Sequence, residues 1–364
     1  AAVPLVKHLQ AAHPDWQWVI TTTTPTGSER VRASFGDSVF HVYAPYDLPL
    51  FLTAFLRRIQ PALTIVMETE LWPNMLAACR TRNIPVIVAN ARLSEKSARG
   101  YGKLAPLTHA MLQDVTLIAA QQQADGERFV ALGLPRERLQ VTGSIKFDLD
   151  LDAAIREKAF ALRAQWSMHE ARPVWLVAST HPGEDAIILE AFAALKKQHT
   201  DLLLVLVPRH PERFNAVTQQ CESAGFRVLR RSSGTNLDAT TDILVGDTMG
   251  ELLAFYGAAD IAFVGGSLVP VGGHNLIEPA AWACPVISGP QLFNFAEVEA
   301  LLRDNNALVV AGDASSIADS VHSWLADTNL RKGYGERAKA VAENNRGALE
   351  RLCQLIEERM AGKP

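Results

Sequence analysis

Short apolar runs alternate with longer stretches of helical period along the whole chain. That order predicts βαβ units and parallel sheets covered on both faces. The strand-like runs fall at 16–22, 39–43, 63–67, 86–89, 117–120 and 139–142 in the first half. They recur at 174–178, 202–207, 226–229, 243–245, 261–264, 286–287 and 308–310 in the second. The fold class read from this pattern is α/β, with two Rossmann-like units in series. A length of 364 residues fits that division, since domains commonly hold about 100–200 residues. The first domain is expected over 1–148. An interdomain linker carrying a helix at 153–165 is expected over 149–167, because that stretch is charged and lacks strand signals. The second domain then covers 168–364, and its helical tail at 315–360 is expected to pack back onto the first domain.

Composition narrows the function classes. Hydrophobic residues make up 48% and charged residues 20%, enough for a sizeable core and contrary to long disordered tracts. A net charge of −4 gives no global attraction to nucleic acid. Residues 1–149 nevertheless hold fifteen Lys and Arg against twelve Asp and Glu, leaving twenty against twenty-seven in the remainder. A basic first half suits an anionic partner or surface, although so few charges are largely screened. Cys79, Cys221, Cys284 and Cys353 have no metal-ligand spacing, which points to free thiols in a reducing compartment and to no structural zinc. No apolar run reaches the ~18 residues of a membrane span, so the chain is expected to be soluble. It opens on Ala1 with a helix already in progress and no N-cap ahead of it, so a preceding segment is expected.

The chemistry-bearing motifs stand where strands end. The strand at 261–264 runs into Gly265, Gly266 and Ser267, and Gly272 and Gly273 follow. A helix opening at about Asn275, just after His274, would turn its bare N–H groups and dipole toward a phosphate. Glu278, one turn into that helix, is placed to accept from a ribose diol. The glycines alone could equally make turns. Arg209 follows the strand at 202–207, at the end where open α/β sheets bind ligands, and can reach a phosphate; a solvated arginine is the plain alternative. Two anion signals in one half favour the phosphate. Met249 and Gly250 lie in a third such segment, Gly246 to Glu251. Ser179, Thr180 and His181 precede a helix beginning near Glu184 and read as a capping loop, since adjacent Ser, Thr and His are poorly disposed for nucleophilic catalysis. In the first half, Glu68 and Glu70 end the strand at 63–67, where a carboxylate could be a general base, hold an arginine or cap the helix after Pro73. Arg30 and Arg92 could grip an anionic acceptor, and Ser144 and Lys146 would face an interdomain cleft.

Taken in order, TPTGSERV, METELWPN, ANARLS, TGSIKFD, STHPGE, VPRHPERF, GDTMGEL, FVGGSLV and GGHNLIEPA resemble the motifs of the 3-deoxy-D-manno-octulosonic acid (Kdo) transferases of lipopolysaccharide assembly, over essentially the whole chain. The resemblance implies a GT-B glycosyltransferase, two Rossmann-like domains facing a central cleft. It implies inverting transfer of Kdo from CMP-Kdo to a lipid A precursor (lipid IVA) at the cytoplasmic face of the bacterial inner membrane, with no cofactor, no metal and no nucleic acid. Carried over by motif, Glu278 would bind ribose. Arg209 with Gly272, Gly273, His274 and Asn275 would bind the CMP phosphate, and the Met249 and Gly250 backbone would hold cytosine. Arg30, Glu70, Arg92, Ser144 and Lys146 would line the acceptor side or the cleft. The family's general-base glutamate belongs to a Gly-Glu motif expected upstream of Ala1, as is an apolar membrane anchor. The chain as given is therefore expected to be inactive or severely impaired. A nucleotide-sugar epimerase of the same architecture is the rival enzyme, against which the basic first half weighs. A nucleotide-binding scaffold at the membrane is the rival without catalysis.

Overall fold

The computed structural model describes residues 2–167 and 172–361. Ala1, where the sequence reading starts its first helix, lies outside the described residues, as does the expected start of the second domain at 168. The chain divides into two compact units, one of Ala1–Asp148 with Asn345–Pro364 and one of Leu149–Asn344. Among the described residues no helix is long and apolar enough to cross a membrane.

In the first unit, β1 (Val19–Thr22) and β2 (Phe40–Tyr43) pair in parallel. A second sheet holds β3 (Thr64–Met67), β4 (Val86–Ala91), β5 (Leu117–Ala120) and β6 (Leu139–Val141), parallel and in sequence order. All six residues of β4 are buried, which explains why the run has no polar alternation. Successive side chains of a strand point to opposite faces, and the core splits accordingly. Val86, Val88, Ile118 and Ala120 pack with Leu56, Leu76 and Phe129 on one face. Ile87, Ala89, Leu117 and Ala119 pack with Leu5, Leu9, Leu352 and Ile356 on the other. The final helix, Ala348–Ala361, thus belongs to the first unit's core. Asp148 receives the Gly347 and Leu349 N–H groups at 2.5 and 2.6 Å, satisfying donors at that helix's start.

The second unit is built on one parallel sheet of β7 (Val174–Thr180), β8 (Leu203–Pro208), β9 (Val228–Arg230), β10 (Ile243–Val245), β11 (Ile261–Val264), β12 (Val286–Ser288) and β13 (Leu308–Val310). Its order is β13-β12-β11-β7-β8-β10-β9. The same alternation divides the core: Trp175, Val177, Leu204, Leu206 and Phe263 face one layer of helices, and Val174, Leu176, Leu203, Val205 and Ala262 face the other. The helix Ala153–Ser167, read from sequence as part of a linker, buries Ala159, Leu162 and Trp166 against Phe255 and Ala258 in the second unit's core. Burying each large side chain contributes about 1.5–3 kcal/mol, enough to hold a charged helix to that unit. The chain leaves β7 toward β8, β10 and β9, then returns to β11 on the opposite side of β7. The crevice at the carboxyl ends of β7 and β11 is therefore the topological switch point, where open α/β sheets take ligands.

Candidate functional site

A fully buried carboxylate organises the switch point. Glu184, at the start of the helix Glu184–Lys196, accepts the N–H groups of His181 (2.9 Å), Gly266 (2.7 Å), Ser267 (2.9 Å) and Leu268 (2.8 Å). It ties the loop after β7 to the loop after β11. Gly266 takes φ +67°, and a Cβ there would stand 2.9 Å from the His274 ring. His274 rests on this bare backbone and bridges its Nε2 to His181 Nε2 at 2.8 Å. His181 is thus engaged with His274, and among the described residues no hydrogen bond links it to Ser179.

The helix expected at about Asn275 starts two residues later, at Ile277. It runs Ile277–Ala281, five residues. Gly272 and Gly273, at φ +104° and +80°, shape an irregular loop. Gly273 N–H donates to Gly266 O at 2.7 Å, and a Cβ on Gly273 would lie 2.4 Å from Leu292. Asn275 caps the turn by accepting from Ile277 N–H and donates to Glu278 Oε1 at 3.1 Å. Burial pushes the Glu278 carboxyl above its ordinary range, while the Asn275 hydrogen bond and the Arg209 guanidinium pull the other way. The same burial pushes His274 down to about 4, helped by His181, Arg209 and His210. Arg209 is exposed, and among the described residues its side chain makes no hydrogen bond or ion pair. Its backbone N–H is fixed to Thr180 O at 3.0 Å. Arg209, His274, Asn275 and Glu278 therefore come together from two connections.

Arg213 behaves differently from its neighbour. It donates to Thr180 O and pairs with the buried Asp185, so it is a structural cation. Met249 and Gly250 lie after β10, with Met249 67% exposed and Gly250 at φ +80°. Two carboxylates that the sequence reading did not single out hold this segment. Asp247 accepts from Arg230 Nε and Ser232 N–H, and Glu251 from Arg231, Thr248 and Lys158. Burial opposes ionisation of Glu251, but those hydrogen bonds outweigh it and hold the carboxyl at about 2. Among the described residues no hydrogen bond or ion pair links Met249 or Gly250 to Arg209, His274 or Glu278.

In the first unit the candidates also gather at carboxyl ends of strands. Asn90, fully buried at φ +52°, accepts Ile145 N–H at 3.1 Å and so joins the end of β4 to the segment after β6 that carries Ser144 and Lys146. Ser144 is buried and its Oγ has no hydrogen-bond partner among the described residues; Lys146 is half-buried. Arg92 is half-buried, its carbonyl accepting from Thr69 Oγ1, and its guanidinium lies near Asp125. Burial pushes the Asp125 carboxyl up, and the Leu93 N–H, Arg128 and Arg92 oppose that rise. Glu70 is exposed and accepts Trp72 Nε1–H at 3.1 Å. It does not cap the helix Pro73–Arg80: Asp47 does, taking the Asn74 and Met75 N–H groups at 3.1 and 2.8 Å. Arg30 is exposed on the helix Pro25–Phe35. Asp125 lies 32 residues from Leu93, and Asp47 lies 27 and 28 residues from Asn74 and Met75, separations that no local pattern announces.

Residues 1–149 match the 3-deoxy-D-manno-octulosonic-acid transferase (kdotransferase) family, and residues 186–341 match glycosyl transferases group 1. The 3-deoxy-D-manno-octulosonic acid transferase of Haemophilus influenzae is 47% identical over 98% of this chain and 83% of its own length. That of Bordetella pertussis is 36% identical over 98% and 84%. Among solved structures, the C-terminal CMP-Kdo binding domain of WaaA from Acinetobacter baumannii is 37% identical with a TM-score of 0.50, covering 52% of this chain and 98% of that domain. A UDP-GlcNAc 2-epimerase from Neisseria meningitidis aligns over 100% of this chain and 96% of its own with a TM-score of 0.63 but 14% identity, a likeness of fold alone. Parallel α/β units of GT-B type and 47% identity over 98% of the chain lead to one conclusion: the chain belongs to the 3-deoxy-D-manno-octulosonic acid transferase family of glycosyltransferases.

Proposed function

We propose that the protein transfers Kdo from CMP-Kdo to a lipid A precursor, with the donor nucleotide held at the switch point of the second unit. The observation that carries this reading is the convergence of Arg209, His274, Asn275 and Glu278 on the loops after β8 and β11, within the half of the chain that is 37% identical to a CMP-Kdo binding domain. Arg209 would neutralise the phosphate together with the 272–275 loop, and Glu278 would accept from the ribose hydroxyls. Met249 and Gly250 would offer backbone to cytosine. As the glycosidic bond breaks, charge builds on the departing phosphate, and a cation beside it stabilises that charge more than the ground state.

The acceptor reading rests on Arg30, Glu70, Arg92, Ser144 and Lys146 of the first unit, the last four in segments that follow parallel strands. A membrane surface as partner is supported by a neighbouring apolar and basic stretch. Tyr46 is 80% exposed and Leu50 77%, with Leu48 and Phe51 also exposed, and Arg57 and Arg58 lie in the same helix, Pro49–Ile59. Apolar side chains flanked by arginines suit an anionic lipid interface.

Calorimetric titration with CMP tests the donor site. Arg209→Ala is expected to weaken CMP binding about tenfold to a hundredfold, the range for a charged hydrogen bond. Glu278→Ala is expected to weaken CMP more than it weakens the 2′-deoxy nucleotide. Unchanged affinity in both variants would refute the assignment.

A further inference from the structure

Three imidazoles meet at the carboxyl ends of β7, β8 and β11, and only His274 belongs to the expected nucleotide site. His181 follows β7 and His210 follows β8. The His181 and His274 rings are 5.0 Å apart and inclined by 13°, with their Nε2 atoms 2.8 Å apart. The His210 ring meets that of His181 edge-on at 5.3 Å and 87°. The pair is held in place. His181 N–H is fixed on Glu184, and Gly266 backs the pair, where a Cβ would come within 2.9 Å of His274 and 3.4 Å of His181.

Counting protons shows what such a bridge does. When both rings are neutral, one donates its Nε2–H and the other accepts, carrying its own proton on Nδ1. One further proton fits on the free Nδ1 of the donating ring. The bridge survives, the pair becomes +1, and both Nδ1 atoms become donors. A second further proton would set two N–H groups against each other across 2.8 Å, so the pair holds one extra proton or none.

The surrounding charges decide which. Glu184 faces the pair from the helix Glu184–Lys196, and Arg209, His210 and Arg213 face it from the connection after β8. Glu278 of the helix Ile277–Ala281 faces Arg209. Glu184 is occupied by four backbone N–H groups and Arg213 by Asp185 and Thr180 O. Burial and the net positive neighbourhood therefore favour the neutral pair while the site is empty: both rings are held below the ordinary histidine range. A phosphate at Arg209 would reverse that balance.

We propose that His181, with His210 at its edge, is part of the donor-phosphate site, and that the His181–His274 bridge takes up one proton from solvent when a nucleoside 5′-monophosphate binds. The inference rests on the reading that the donor phosphate binds beside Arg209 and the 272–275 loop. A phosphate monoester carries up to about two negative charges where the phosphodiester of a sugar nucleotide carries one. The pair's added charge therefore matches the leaving group, whose oxygen receives the electron pair of the broken glycosidic bond. The proton returns to solvent when the nucleotide departs.

Calorimetry with CMP in buffers of different ionisation enthalpy reads the protons taken up, and 31P resonance of the bound nucleotide reads the charge on its phosphate. At pH 7 to 7.5 the expected result is uptake of about half to one proton per CMP, a phosphate that stays dianionic, and a Kd that rises by up to about tenfold per pH unit above neutrality. His181→Gln is expected to bind CMP at neutral pH only about as weakly as the unmutated protein does at high pH, losing both the uptake and the slope, which a merely structural role would leave in place. No uptake by the unmutated protein, uptake located on the phosphate, or undiminished uptake in folded His181→Gln overturns the inference. Failure of Arg209→Ala to weaken CMP at all refutes the underlying donor-site reading, and this inference with it.

Discussion

Glu184 gives the sharpest perturbation, because its two oxygens have different clients. Oε2 accepts from His181 and Gly266, and Oε1 from Ser267 and Leu268. In Glu184→Gln one oxygen survives and can serve one pair of N–H groups. The new amide NH2 then faces the other pair, donor against donor, in a site with no exposed surface. A buried donor left without an acceptor costs about 1–3 kcal/mol, so two of them predict a loss of about 2–6 kcal/mol even though the side chain keeps its shape. For a unit of this size each kcal/mol shifts Tm by about 2–4 °C, which predicts a fall of roughly 4–24 °C. Differential scanning calorimetry with and without CMP measures both the fall and its consequence, because the same substitution releases the loop that carries the His181–His274 bridge. A Tm within about 1 °C of the unmutated protein would show that the carboxylate fills space and does not clamp the two loops.

Two further outcomes follow from named contacts. Glu251, held at about 2 in the folded protein, has an ordinary value near 4.3 when unfolded, so its contribution is complete above about pH 4.3 and disappears as pH falls toward 2. Arg231→Met removes a lowering partner, and denaturant titrations between pH 5 and 2 are expected to show a shallower acid loss from a lower starting stability; an unchanged profile would refute the role. Leu50→Ser with Phe51→Ser removes two exposed apolar side chains, and sedimentation with vesicles containing anionic lipid is expected to show binding weakened by about tenfold or more while CMP affinity stays the same. Equal vesicle binding would remove that helix from the membrane reading.

Local chemistry wrote much of this protein into its sequence. Most strands among the described residues are β-branched or leucine-rich runs, and a parallel sheet needs no partner-dependent alternation to reveal such runs, so β5, β10, β11 and β13 coincide with the expected boundaries. Because parallel strands put all their carboxyl ends on one edge, Arg209, Gly272 and Glu278 could be read as neighbours of a ligand before any strand order was known. The motifs also sufficed to place the chain in its family. Tertiary structure decided the rest. Strand order sets β11 beside β7, and only that adjacency brings His274 to His181, 93 positions away in sequence. Glu184 looked like one member of a capping loop, because its clients Gly266, Ser267 and Leu268 lie more than eighty residues downstream. The short helix at Ile277 and the assignment of Ala153–Ser167 to the second unit's core likewise depend on what packs against them. Periodicity reports which face of an element is apolar; it does not report which distant surface that face will meet.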